Sequence, residues 1–189
     1  MIHNKYFEIM KEFLKGYYKE IYGRSLIKKT NLSQKNIALT LGELENKGIL
    51  KSRSIGSIKY YSLNFDNPLI KDYIFVFEQL RKIEFLEKNS RLIDFSKKID
   101  SDIFCIFGSY AKGIWRKGSD LDIFIVGKYD SNKIKTLAKN YGYDVQVFGM
   151  SVRDFKKSIN KKTVLIKEII ENHVFLKGTN KFLEIVLNG

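Results

Sequence analysis

The 189-residue sequence contains one cysteine and one proline, and it has no apolar run long enough to span a bilayer. The single cysteine, Cys105, cannot form an internal disulfide, which is compatible with a reducing compartment. The first twelve residues lack the apolar core of a secretory signal. One proline and 44% apolar residues are typical of an ordered globular protein rather than a disordered tail. We therefore expect a folded, cytoplasmic protein without a membrane partner.

Acidic side chains are in the minority, with 21 Asp and Glu against 34 Lys and Arg and a formal net charge of +13. A surface this basic attracts polyanions such as nucleic acids or nucleotides. The alternative is a lysine-rich composition without a polyanionic partner. Residues 1–63 carry 12 basic and 5 acidic side chains, so their charge density is roughly twice that of the remaining chain. This distribution favours a phosphate-contacting module in the first third of the sequence.

The first third of the chain has the periodicity of helices followed by a hairpin. Apolar residues at helical spacing predict a helix over 3–20, and a short helix is expected over 24–29. A third helix is predicted over 33–47, with Ser33 as its N-cap. Alternating segments on either side of Gly56-Ser57 then predict a two-stranded hairpin.

This order of elements, together with the segment LENKGILKSR, resembles a winged helix-turn-helix domain. The resemblance implies that the third helix enters the major groove of double-stranded DNA and that the hairpin contacts the DNA backbone. It also implies a homodimer, because winged helices usually address two half-sites. The alternative is a winged helix used only for dimerisation or protein contacts. The candidate groove-facing residues are Ser33, Gln34, Lys35, Asn36 and Thr40, and the candidate wing residues are Lys51, Arg53, Ser57 and Lys59.

A helix predicted over 69–88 follows the Asn67-Pro68 break. It serves either as a bridge between two domains or as a dimer seam. We therefore predict a winged helix-turn-helix domain over 1–66, a bridging helix over 67–90 and an α/β domain over 91–189.

The last part of the chain alternates between strand and helix patterns, which indicates an α+β or α/β fold. Strands are predicted over 102–107, 120–126, 143–148 and 173–176, and helices over 91–99, 108–114, 131–140, 151–159, 163–171 and 180–187.

A Gly-Ser pair and an Asp-x-Asp pair, separated by ten residues, lie at the end of one predicted strand and the start of the next. Gly108 and Ser109 follow the first of these strands, and Asp120 and Asp122 open the second. Aspartates two residues apart in a strand share one face. Their repulsion costs stability unless a cation or a substrate lies between them. The pattern therefore predicts a ligand site at this edge of the sheet.

These residues resemble the motif of the nucleotidyltransferase superfamily that includes DNA polymerase beta, and in particular its small, minimal members. The likeness covers about residues 90–150 and implies a small α/β domain with a mixed sheet. It also implies an enzyme that uses Mg²⁺ or Mn²⁺ to transfer a nucleoside monophosphate from a nucleoside triphosphate to an acceptor hydroxyl. The implied metal ligands and catalytic residues are Asp120 and Asp122, and the implied nucleotide-binding residues are Gly108, Ser109, Lys112 and Ser119.

The family has a third carboxylate on a neighbouring strand, which acts as a metal ligand and often as the base for the acceptor hydroxyl. Asp144 fits this position and is the residue we favour as the third catalytic and metal-binding group. A register shifted by two would place Gln146 there instead, and a neutral amide cannot serve as a base. In the connecting loop, Trp115 either stacks on a nucleobase or packs as a loop aromatic.

Two functions are compatible with these patterns. The first is a Mg²⁺-dependent nucleotidyltransferase whose acceptor is a protein side chain, an RNA end or a small molecule. The second is a DNA-binding transcriptional regulator or antitoxin, with a toxin-like protein partner, whose transferase domain is weakly active or inactive. The two functions can coexist, because an antitoxin can modify its partner and also repress transcription. Mg²⁺-dependent nucleotide binding is the measurement that separates them.

Overall fold

The computed structural model describes residues 5–187 and divides into two compact units, Met1–Leu80 and Arg81–Gly189. The division falls inside α3 (Ile70–Lys88), the long helix predicted from the sequence. The predicted domain boundaries after residues 66 and 90 remain predictions. Residues 5–187 include no helix that combines the length and the apolar character required to cross a membrane.

The first unit begins with α1 (Lys5–Leu14), whose apolar face is buried and packs on α2 (Gln34–Asn46). The prediction that α1 extends to residue 20 is wrong. A glycine, Gly16, has a φ of +140°, and the chain turns there instead of continuing the helix. The predicted start at residue 3 lies outside the described residues.

The segment between these two helices is less helical than predicted. The helix expected over 24–29 is only a 3-10 helix over Gly23–Leu26, followed by turns. Ser33 is the N-cap of α2, as predicted, and its hydroxyl accepts a hydrogen bond of 3.3 Å from the backbone N–H of Asn36.

A three-stranded antiparallel sheet completes the first unit, in the order β1-β3-β2. Its strands are β1 (Ile21–Tyr22), β2 (Leu50–Ile55) and β3 (Ile58–Leu63). The β2–β3 hairpin turns at Gly56-Ser57, as predicted, whereas the two-residue β1 was not predicted. The identification of this unit as a winged helix remains a prediction.

The second unit contains a mixed four-stranded sheet in the order β6-β5-β4-β7. The β4–β5 and β4–β7 pairs are antiparallel, and the β5–β6 pair is parallel. The strands are β4 (Ile103–Phe107), β5 (Leu121–Val126), β6 (Val145–Met150) and β7 (His173–Lys177). The helices are α4 (Arg91–Lys97), α5 (Gly108–Lys112), α6 (Ser131–Asn140), α7 (Val152–Asn160), α8 (Val164–Glu171) and α9 (Thr179–Leu187).

Both faces of this sheet are covered, which explains the nearly continuous apolar sequences of β4 and β5. On one face, Ile106 and Ile123 belong to a buried cluster that includes Phe95 of α4. On the other face, Phe124 packs against Phe155 of α7, with ring centroids 5.6 Å apart. Polar residues are therefore concentrated at the ends of the strands, where the two aspartates lie.

Candidate active site

The two aspartates of the motif lie where β4 ends and β5 begins. In the antiparallel β4–β5 pair, Asp122 is directly opposite Phe107, the last residue of β4. Leu121, between the two aspartates, is fully buried on the opposite face of the sheet. Asp122 is half-buried and Asp120 is exposed. The strand alternation thus directs both carboxylates to one face, at the rim of the sheet.

Gly108 lies directly against the carboxylate of Asp122. A Cβ at this position would be 2.2 Å from Oδ2 of Asp122, which is far inside van der Waals contact. The φ of Gly108 is +64°, a backbone conformation that favours glycine. Two independent features therefore require glycine here: the turn from β4 into α5 and the close approach of the Asp122 side chain.

The electrostatic environment of Asp122 is unfavourable for its charge. Burial raises the pKa of the Asp122 carboxyl, and the negative charges of Asp120 and Glu168 raise it further, whereas Lys112 lowers it. Two other carboxylates therefore act on a half-buried one, and Lys112 opposes them. A divalent cation at this position would remove the repulsion.

Lys112, the predicted phosphate-binding lysine, is ion-paired with a residue that the sequence analysis did not identify. Its Nζ lies 2.7 Å from Oε1 of Glu168 on α8. Asn172 also donates a hydrogen bond of 3.4 Å to the same oxygen. No local motif marks Glu168, because it lies 56 positions after Lys112 and only the fold brings the two together. The ion pair with Glu168 thus holds Lys112 at the rim of the site.

Asp144 and Gln146, the two candidates for the third position of the site, lie at or just before the start of β6. In the parallel β5–β6 pair, Gln146 is directly opposite Asp122, and its Nε2 donates a hydrogen bond of 3.0 Å to Oδ2 of Asp120. Asp144 immediately precedes β6 and is exposed, and its backbone carbonyl accepts a hydrogen bond of 2.8 Å from the N–H of Leu121. The Gln146 side chain therefore contacts Asp120, and Asp144 lies two residues before Gln146.

The aspartate pair has the chemistry of a Mg²⁺ ligand set, although residues 5–187 contain no cluster of three or more Asp, Glu, His or Cys side chains arranged to hold a metal. Mg²⁺ is usually bound by one or two carboxylates together with water and substrate phosphates. Asp120 and Asp122 provide the two hard oxygen donors, and burial together with the nearby negative charges raises the pKa of the Asp122 carboxyl. The residues present therefore fit a divalent ion that is completed by substrate.

The two predicted serines have different surroundings. Ser109 is in the first turn of α5, and its carbonyl accepts a hydrogen bond of 3.1 Å from the N–H of Ile114. The hydroxyl of Ser119 accepts a hydrogen bond of 2.9 Å from the N–H of Arg116. Ser119 therefore closes the loop before β5 and has this contact rather than one to an aspartate. The roles of both serines in nucleotide binding remain predictions.

The predicted groove-facing residues divide into exposed and buried positions. Gln34, Lys35 and Asn36 are exposed in the first turn of α2, together with the N-cap Ser33. Thr40 is fully buried, so the suggestion that it faces a DNA groove is wrong. The helical spacing puts Thr40 on the same side as Ile37 and Leu44, which form part of the core.

The predicted wing residues are engaged with acidic partners within the first unit. Arg53 donates two hydrogen bonds, of 2.6 and 2.5 Å, to the carboxylate of Glu20. Lys59 lies 2.7 Å from Glu45, and Lys51 lies 2.9 Å from Asp66. Exposed ion pairs of this kind are weak and screened by salt, so a phosphate can replace the carboxylate partner.

Residues 90–177 match the family model described as the nucleotidyltransferase domain. The matched segment runs from α4 to β7 and contains the Gly-Ser turn, both aspartates and the strand that follows them. No curated protein and no solved structure matches the chain. The match, together with the mixed sheet, supports the nucleotidyltransferase superfamily for this segment. It supports, in general terms, a transferase that uses a nucleoside triphosphate.

Proposed function

We propose that the second unit is a Mg²⁺-dependent nucleotidyltransferase that transfers a nucleoside monophosphate from a nucleoside triphosphate to an acceptor hydroxyl. The observation that carries this proposal is the contact of Gly108 with Asp122, within a segment that matches the nucleotidyltransferase family. This contact joins the two halves of the motif at the end of one sheet. A carboxylate pair beside a turn without side-chain bulk is suited to a polyphosphate chelated to a metal.

In this proposal, different residues of the chain bind the metal ion and the phosphates. Asp120 and Asp122 would hold the divalent ion, which would offset the negative charge of the transferred group. Gly108 and Ser109 line the phosphates, because a turn without a Cβ permits close approach. Lys112 exchanges its contact with Glu168 for a contact with phosphate, since both partners are anionic.

The transfer step requires one further group, a base. The acceptor oxygen forms a bond to the α-phosphorus, the bond from that phosphorus to the bridging oxygen of the β-phosphate breaks, and pyrophosphate leaves. The exposed carboxylate of Asp144 accepts the proton of the acceptor hydroxyl in our proposal. Gln146 lacks a basic group and instead orients Asp120 through its hydrogen bond. The acceptor is a hydroxyl of a protein, an RNA end or a small molecule.

The decisive experiment replaces both aspartates by asparagine and follows transfer from an α-labelled nucleoside triphosphate with Mg²⁺. Transfer to protein, RNA and small-molecule acceptors, together with pyrophosphate release, should fall to background in Asp120→Asn/Asp122→Asn. A matched control removes two exposed carboxylates elsewhere in the second unit, Asp94→Asn/Asp100→Asn, and should retain transfer. Transfer that survives in the first double variant would overturn the proposal.

A second function, DNA binding by the first unit, is favoured by the exposed first turn of α2 and by the concentration of positive charge in residues 1–63. In this reading the protein is a DNA-binding regulator or antitoxin, with a toxin-like protein as partner, and the second unit is weakly active. The contact of Gln146 with Asp120 is the feature that favours weak activity, since a neutral amide occupies space beside the carboxylate pair.

The DNA-binding proposal is tested with double-stranded DNA from the promoter region of the chain's own gene. Binding should weaken steeply as salt rises, because released counterions drive the association. Lys35→Ala should weaken it, whereas Lys135→Ala on α6 of the second unit should not. The absence of binding at low salt would contradict this function. A homodimer with two half-sites would bind cooperatively to a palindromic fragment.

A further inference from the structure

Trp115 is the single tryptophan of the chain and is unusually open for its type. It lies in the loop between α5 and β5 with 47% of its surface exposed, and its neighbour Ile114 is 67% exposed. Large apolar side chains next to each other on a surface frequently mark a contact site. This loop also connects the two halves of the candidate active site, since it runs from Lys112 to Asp120.

The indole of Trp115 packs on a second aromatic ring and is otherwise about half exposed. Its ring is parallel to that of Tyr110, with an interplanar angle of 2° and centroids 5.0 Å apart. Tyr110 is itself buried and contacts Tyr143 edge-on, with centroids 6.3 Å apart. The aromatic rings therefore form a short stack that begins in the core and ends at the exposed indole.

The backbone of the loop is tied down at both ends. The N–H of Gly113 donates to the carbonyl of Tyr110 at 3.0 Å, and the N–H of Ile114 donates to that of Ser109 at 3.1 Å. At the other end, the N–H of Ser119 donates to the carbonyl of Arg116 at 2.9 Å. The first two bonds tie the backbone next to Trp115 to α5, and the third closes a turn just before Asp120. Together with the stack on Tyr110, they restrict the orientation of the indole.

We propose that Trp115 is the nucleobase platform of the site, on which the base of the nucleoside triphosphate stacks against the open face of the indole. The inference rests on the proposed nucleotidyltransferase function and adds the element that binds the base. Every nucleobase has an aromatic face, and stacking on a side chain reads that face rather than the hydrogen-bonding edge. The platform therefore predicts similar affinities for all four nucleoside triphosphates.

The test uses the wild-type protein, Mg²⁺ and two ligands, ATP and inorganic tripolyphosphate. Because Trp115 is the sole tryptophan, the intrinsic indole emission reports on this position alone. ATP should quench it saturably, and tripolyphosphate should bind without quenching. By calorimetry, Trp115→Ala should weaken ATP binding about 10-fold and leave tripolyphosphate binding unchanged. Trp115→Phe should retain most of the ATP affinity, and Ile114→Ala, the neighbouring exposed residue, should bind like the wild type.

The outcomes separate this inference from the function on which it rests. If ATP binds and Trp115→Ala binds it equally well, the platform is wrong and the nucleotidyltransferase proposal stands. If Trp115→Ala weakens ATP and tripolyphosphate binding to the same extent, Trp115 acts on the fold of the loop and the platform is again wrong. If the wild-type protein binds neither ligand, both proposals fail. Thermal melting of each variant verifies that the second unit remains folded.

Discussion

Three glutamates of the first unit and one aspartate of the second have pKa values that are shifted in opposite directions. In the first unit, hydrogen bonds from basic side chains lower the pKa values of three glutamates; the pairs are Glu20 with Arg53, Glu43 with Lys5, and Glu45 with Lys59. In the second unit, burial and neighbouring negative charges raise the pKa of Asp122. Both units are rich in lysine, so composition alone does not explain the difference.

This contrast distinguishes carboxylates whose negative charge is balanced by a neighbouring side chain from a carboxylate whose charge is not balanced. A carboxylate with a lowered pKa already has a cationic partner. A carboxylate with a raised pKa is held by the fold in surroundings that oppose its negative charge. Such positions are concentrated at functional sites. The basic residues of the predicted wing are, by the same reasoning, already partnered.

The largest effect is expected from Gly108→Ala. The new Cβ would lie 2.2 Å from Oδ2 of Asp122, so the carboxylate must move by about 1 Å, and a displacement of that size costs about 100-fold in rate. Gly113→Ala is the matched control. Its φ of +71° imposes the same backbone strain, about 1–2 kcal/mol, but nothing lies within 4 Å of its Cβ. Transfer assays and thermal melts on both variants measure the difference. Equal losses of transfer would mean that strain alone, and not the Asp122 contact, is responsible.

The next largest effect is expected at the third position of the site, where Asp144 and Gln146 are the candidates. Asp144→Asn should lower kcat by about 100-fold with little change in nucleotide affinity, because it removes the proposed base and leaves the aspartate pair intact. Gln146→Ala should cost less, since it removes only the hydrogen bond to Asp120. Steady-state kinetics and calorimetry separate the two steps. A larger loss of kcat in Gln146→Ala than in Asp144→Asn would contradict the assignment of Asp144 as the base.

Stability against pH should change in opposite directions in the two units. The folded pKa of Asp122 lies above its unfolded value, so its charge destabilises the metal-free protein at neutral pH and this penalty disappears below about pH 4. Asp122→Asn should therefore raise the melting temperature at pH 7 and have no effect near pH 4.

The counterpart in the first unit is Glu45→Gln. The folded pKa of Glu45 lies below its unfolded value, so its contribution is present at pH 7 and is lost as the pH falls through the folded pKa. The substitution should lower the melting temperature at pH 7 and have a smaller effect in acid. Melting curves recorded with a chelator from about pH 3 to pH 8 test both variants. Melting-temperature shifts of the same sign at pH 7 in Asp122→Asn and Glu45→Gln would contradict the difference between the two units.

The smallest effects are expected in DNA binding. Lys35→Ala should reduce the slope of log affinity against log salt by about one, as for a single phosphate contact. Arg53→Ala should change affinity less, because Arg53 must first leave Glu20. Conversely, Glu20→Gln should strengthen binding by releasing Arg53. Fluorescence anisotropy over a salt series measures all three. Weaker binding in Glu20→Gln would show that the ion pair positions the wing instead of competing with DNA.

Local patterns in the sequence predicted most of the elements. The β2–β3 hairpin, the N-cap at Ser33 and the strands of the second unit follow from turn chemistry, capping and alternation, all of which act over a few residues. One error was local, because the chain turns at Gly16 and α1 ends before residue 20. Other errors arose where longer-range packing decided the outcome. The predicted helix over 24–29 became a 3-10 helix, and β1 formed only because β3 lies beside it.

Strand alternation and glycine geometry are properties of the local chain, so the motif alone predicts that Asp120 and Asp122 share a face and that a Gly-Ser turn precedes them. The surroundings of the two aspartates depend on the tertiary fold. The pairing of Asp122 with Phe107 and Gln146, and the contact of Glu168 with Lys112, join positions distant in sequence. Strand register and helix packing are chosen by burial of the whole core, so these neighbours follow from the fold and not from the motif.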